Sequence, residues 1–143
     1  MKTDKYDITF SNLVRVSADW TCEICGKQSP PGTDNGLMDC SHDRSRRHPW
    51  TRYDPRNAIC SCRGCHMKTT EDHDFHVESF NRIKTEDARL LMRERSNDLR
   101  KLTKKMKDSI RMFYLKEEFP RIHQMRMDGV QGKIVIRIPK ELQ

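Results

Sequence analysis

Apolar residues repeat with two different periods along this chain. In FSNLVRV, Phe10, Leu13 and Val14 fall at i, i+3 and i+4, which predicts one apolar stripe on a short helix over residues 10–16. Residues 37–41 and 57–61 carry short apolar stretches and predict a pair of strands. Residues 28–36, QSPPGTDNG, are dense in turn formers and predict a loop. Helix starts are expected at TTED (69–72), at Thr85-Glu-Asp and near Ser96-Asn-Asp, each a polar cap followed by an acidic first turn. Leu99, Leu102, Met106, Ile110 and Phe113 recur at three to four residues, so the last helix is expected to be amphipathic and to end by Pro120. KIVIRIP, 133–139, alternates and is β-branched; it reads equally as a late strand or an unpaired arm.

These apolar segments are thin for 143 residues: 34% of the chain is hydrophobic and 34% charged. A chain with so little to bury calls for a staple, and bound metal is one. No run of about 18 apolar residues could cross a bilayer, and the first ten residues lack the apolar stretch of a signal peptide. A cytoplasmic protein is therefore expected. There, cysteines serve as metal ligands or free thiols rather than disulfides. The +7 charge is uneven: residues 77–143 carry 17 Lys/Arg against 10 Asp/Glu, whereas residues 1–76 are neutral. A basic surface attracts polyanions, of which nucleic acid is the commonest in a cell.

Four of the six cysteines form two knuckles, Cys22-x-x-Cys25 and Cys62-x-x-Cys65, 36 residues apart. Each two-residue gap lets a turn direct both thiolates at one ion, and two turns complete a tetrahedral S₄ site suited to structural zinc. Cys40 and Cys60 are left as buried thiols, with Cys60 expected to face away from Cys62.

A zinc staple gives no reason for the neighbouring polar residues. MDCSH supplies His42, DPRN supplies Asn57, and CRGCH ends in His66. That order resembles the HNH endonucleases. FSNLVRV, CEICG, MDCSH, SRRH, TRYDPRN and CRGC together are similar to the NinG-type (Rap-like) recombination proteins of lambdoid phages, over about residues 10–80. The resemblance implies an α+β protein with a ββα-metal (HNH) core stapled by zinc, followed by C-terminal helices. It further implies a divalent-metal-dependent DNA endonuclease acting on branched or recombination intermediates, for which a homodimer is the natural partner arrangement. In that reading His42 is the general base, Asn57 holds its imidazole through the amide oxygen, and His66 binds a catalytic Mg²⁺ or Mn²⁺. Many HNH enzymes carry an acidic ligand just before the base, where this chain has Ser41; NinG-type chains have a small residue there, and Asp39 is a candidate replacement. The plainer readings are an ordinary polar His42, a turn-forming Asn57 and a fourth structural ligand at His66. His73 and His76, at i and i+3, are expected to be solvated or packed rather than bound to that ion.

Between the two expected strands lie Arg44, Arg46, Arg47, His48, Arg52 and Arg56, with Trp50 and Tyr53 among them. Arginine grips phosphate and aromatic rings stack on bases, so this loop is expected to hold the DNA backbone, with Arg52 the preferred clamp. Eight basic residues from Arg89 to Lys107 are expected to extend the track along a helix. The expected organisation is a nuclease domain at 1–80, a basic helical extension at 81–120 and a tail at 121–143. The competing reading is a non-catalytic zinc module that binds DNA or RNA, which would keep the cysteines and arginines alone.

Overall fold

The computed structural model describes residues 1–29 and 37–143, so most of the loop expected at 28–36 lies outside the described residues. The protein is α+β. Helix α1 (Lys5–Ser17) begins earlier than the apolar stripe suggests, because Asp4 caps it. The Asp7 amide donates to Asp4 Oδ1 at 2.8 Å and the Asp4 amide donates to Asp7 Oδ2 at 2.9 Å, a reciprocal capping box. Phe10, Leu13 and Val14 are buried on the inner face of α1, each contributing about 1.5–3 kcal/mol by leaving water.

Strands β1 (Met38–His42) and β2 (Ala58–Cys62) pair antiparallel, with Cys40 opposite Cys60 and His42 opposite Ala58. Helix α2 (Arg63–Glu71) leaves β2 without an intervening loop. The expected helix start at TTED is instead the end of α2. Thr69 and Thr70 turn their hydroxyls back to the His66 carbonyl, and Asp72 takes the capping role by accepting from the Phe75 amide. Helix α3 (His73–Ile83) follows from that cap. Helix α4 (Glu86–Ser96) starts where expected, on Thr85.

Ser96 closes a helix rather than opening one: its hydroxyl donates to the Arg93 carbonyl at 2.7 Å. Helix α5 (Lys104–Phe113) begins at Thr103, which accepts from the Met106 amide. The helical run that it opens does not end by Pro120. A π turn over Tyr114–Glu118 leads directly into α6 (Phe119–Met127), so the proline, which lacks an amide proton, is absorbed in the first turn of the next segment.

Residues 133–139 form no strand among the described residues; the arm alternative holds. Ile134 and Ile136 are buried while Val135 and Arg137, which alternate with them, are exposed. The Ile134 amide donates to the Ser17 carbonyl, and the Arg137 amide donates to Glu118 Oε1 at 2.6 Å. Glu118 is fully buried and also accepts from the Arg121 and Arg137 guanidiniums. Burial raises its pKa, but these hydrogen bonds outweigh it and keep the carboxylate ionised. The main apolar cluster draws on residues from Tyr6 to Leu142, so the ends of the chain share one core. No helix among the described residues is long and apolar enough to cross a membrane.

Candidate metal centre and the adjoining cleft

After α1 the chain takes two consecutive left-handed residues, Asp19 (φ 55°) and Trp20 (φ 52°), a conformation that costs non-glycine residues about 1 kcal/mol each. The Trp20 amide donates to the Arg15 carbonyl at 3.0 Å, holding the bend that delivers Cys22 to the sheet. The knuckle closes through Cys22 N–H to the Lys27 carbonyl and Gly26 N–H to the Cys22 carbonyl, both 2.8 Å. Gly26 supplies the positive φ of 80° that the turn requires. Cys62 is the N-cap residue of α2 and Cys65 sits in its first turn.

The sulfurs of Cys22, Cys25, Cys62 and Cys65 all lie within 4.8 Å of one another. Four sulfurs held about 2.3 Å from one ion sit roughly 3.8 Å apart; Cys25 Sγ and Cys62 Sγ are separated by 3.8 Å. The donor set fits a metal such as zinc. Glu23 was not singled out by sequence, yet it docks the first knuckle on the sheet. Its amide donates to the Cys60 carbonyl at 2.8 Å, and the Cys60 amide donates to its carboxylate at 2.6 Å.

Cys60 stays outside the cluster, but the expectation that it faces away from Cys62 fails. Residues two apart on a strand share a face. Burial pushes the Cys40 and Cys60 thiols up to about 12, so both remain protonated.

Beside the sulfurs a cleft of about 510 Å³ runs along β1 between α1 and α2. His42, Asp39, His66, Arg46 and Arg63 line it. His42 Nε2 lies 3.0 Å from the Arg52 carbonyl, an oxygen that only accepts, so Nε2 carries the proton and Nδ1 the lone pair. Burial pushes the imidazole down to about 4; the Arg52 carbonyl opposes this and the Arg46 charge adds to it. His42 is therefore neutral across the physiological range. His66 Nδ1 is 3.1 Å from Asp39 Oδ2, and Arg63 approaches the other oxygen of the same carboxylate at 3.5 Å. The cleft thus presents one imidazole and one carboxylate side by side, backed by a guanidinium.

Asn57 is not where the resemblance implies. It is fully buried, and its amide oxygen accepts from the Arg44 amide at 2.8 Å instead of facing the imidazole. Its Nδ2 donates to the Arg44 and Thr51 carbonyls at 2.9 and 3.0 Å. Asn57 closes the loop between the strands, and that loop brings the Arg52 carbonyl to His42.

Arg52, the expected clamp, is also occupied. Its guanidinium donates to both oxygens of Asp7, at 2.9 and 2.5 Å, and its side chain is only 15% exposed. An internal carboxylate outcompetes an external phosphate because its position is already fixed by the capping box. Arg44 donates to Ser96 Oγ, and Arg56 is bound to Asp54 and the Leu142 carbonyl. Arg46, 3.6 Å from Asp7, still reaches the cleft, and Arg47 is exposed. Arg63 was missed by sequence reasoning; 63% of its side chain is exposed at the start of α2, beside Asp39. Its place at the first helical residue after a ligand cysteine was the available signal.

Tyr53 is buried and donates to Asp4, so it offers no face to a base; Trp50 packs against the core under the Arg100 guanidinium. His76 does not approach the Asp39–His66 pair. It donates to Asp43, which Arg89 also grips, and packs on Phe80 at 4.7 Å. His73 is exposed at the start of α3. The expected basic track from Arg89 to Lys107 is broken, since residues 97–103 are not helical and Arg89, Arg95 and Arg100 have internal partners. No family model, curated protein or solved structure matches the chain.

Proposed function

We propose that this protein is a zinc-stapled, divalent-metal-dependent nuclease of the HNH kind that hydrolyses phosphodiester bonds in DNA. The observation that carries the reading is the shared cleft: His42, Asp39, His66, Arg46 and Arg63 meet in one open volume beside the sulfur cluster. The antiparallel pair β1 and β2 followed by α2 supports the reading, because it has the strand–strand–helix order that the resemblance implies.

The sulfur cluster would hold zinc and fasten the N-terminal knuckle to the head of α2, which fixes the position of His66, the residue after Cys65. Asp39 and His66 would hold Mg²⁺ or Mn²⁺, whose Lewis acidity lowers the cost of charge on the scissile phosphate. His42 takes the proton from water on Nδ1 as the water oxygen bonds to phosphorus and the opposite P–O bond breaks. The Arg52 carbonyl keeps His42 in the required tautomer and offsets the charge the ring acquires. Burial alone leaves His42 a weak base, and an anionic phosphate entering the cleft raises its pKa toward the working range. Arg46 and Arg63 hold the phosphate from the two walls of the cleft. Asn57 acts through the loop, as a positioning residue.

The resemblance to NinG-type proteins makes branched recombination intermediates the first substrates to try, with a homodimer matching their symmetry. Zinc-loaded protein is incubated with supercoiled, linear and branched DNA in Mg²⁺, Mn²⁺ or EDTA. We expect cleavage with a divalent ion, none in EDTA, and a loss of at least about 10²-fold in His42→Ala. Equal cleavage by parent and His42→Ala would remove the base assignment. Binding without cleavage in any divalent ion would establish the non-catalytic module.

A further inference from the structure

A second pocket adjoins the cleft, and Arg46 lines both. It measures about 220 Å³, and Arg46, Arg47, Arg52, Lys101 and Lys107 line it together with Tyr53. No acidic residue lines it. Arg52 is neutralised by Asp7, and Arg46 in part. Arg47, Lys101 and Lys107 have no carboxylate oxygen within 4.0 Å among the described residues, although each end of the same segment pairs readily, Arg100 with Asp98 and Lys104 with Asp108. The three come from two regions more than 50 residues apart, the inter-strand loop and the stretch leading into α5. Like charges gathered from separate elements repel, and an incoming anion relieves that repulsion.

We infer that this pocket is a second backbone-phosphate site, which receives a phosphodiester of the same nucleic-acid strand next to the one in the cleft. The inference rests on the nuclease reading for its ligand and extends it by giving the strand a path. The strand leaves the cleft over Arg46 and continues toward Lys101 and Lys107, rather than along α4. Contacts of this sort bind backbone without reading sequence.

The test compares Lys101→Ala/Lys107→Ala with Lys116→Ala/Lys140→Ala, which removes the same charge from exposed positions outside the pocket. Affinity for a labelled duplex is measured in EDTA by fluorescence anisotropy over a salt series, with circular dichroism to check folding. Losing the one phosphate contact that the pocket makes lowers the slope of log K against log salt by about 0.9. We expect that drop in the pocket variant and little change in the control. Cleavage of bis(p-nitrophenyl) phosphate, which fills only the cleft, should be the same in both variants. Equal slope changes in the two variants would overturn the inference. So would saturable displacement of the duplex by inorganic phosphate at matched ionic strength, which would mark a small-anion site. Failure of this inference and failure of the nuclease reading are told apart, because His42→Ala cleavage decides that reading and the salt slope decides this one.

Discussion

The sulfur centre and the cleft meet at α2, where Cys65 and His66 are neighbours in the chain, yet they are built differently. Each pair of sulfurs is aimed by its own turn, within four residues, and the knuckles need only be brought together. The cleft has no such local rule. His42 depends on the Arg52 carbonyl, Arg52 on Asp7, and the loop carrying Arg52 on the buried Asn57. A metal site of soft ligands is thus a set of short-range constraints, whereas the polar site beside it is a relay of long-range ones.

The difference predicts an asymmetry in what breaks. The largest effect falls on the staple. Structural zinc contributes about 10–16 kcal/mol in apparent binding, comparable to the whole stability of a domain. Cys62→Ser, or a strong chelator, is expected to unfold the protein and abolish the cleft with it. His42→Ala should retain one zinc per chain. Metal analysis with circular dichroism checks both, and a Cys62→Ser protein that stays folded would break the comparison.

A smaller effect follows from the neutral His42. Its folded pKa, about 4, lies below the unfolded value of about 6.5, so below pH 6.5 the unfolded chain takes a proton that the folded one refuses. Its contribution is complete above pH 6.5 and is lost as the pH falls toward 4, up to about 3 kcal/mol. Acid would also protonate thiolates that hold a metal, but that loss is common to parent and variant. Urea titrations between pH 7 and 4 should therefore show the parent losing more stability than His42→Gln. Parallel curves would mean that burial at His42 does not shape the acid response.

The same contrast explains what could be read beforehand. The four ligand cysteines, the inner face of α1 and the Thr85 cap are local patterns, and each is found in the structure. Strand bounds came within one residue, whereas the helix starts expected at TTED and Ser96 failed for one cause: Ser and Thr hydroxyls bond backward to carbonyls as readily as forward to amides. Pro120 misled because a π turn, invisible in the apolar period, makes room for it. Within the cleft, His42, His66 and Asp39 were identifiable as residue types in a familiar order. Their partners were not, since Arg52 and Asp7 stand 45 residues apart and nothing in either local stretch announces the pairing. Arg52 looked available only because charge along a sequence does not reveal which charges are already matched.

The pairing of Asp39 with His66 is the point on which the catalytic account turns, and it can be observed without any substrate. Zinc-loaded protein, with histidine rings labelled, is titrated with Mn²⁺ and followed by NMR. The account predicts that His66 signals broaden first, at substoichiometric ion, that zinc stays bound, and that Asp39→Asn removes the effect. Broadening spread over all six histidines, or unchanged in Asp39→Asn, would contradict it.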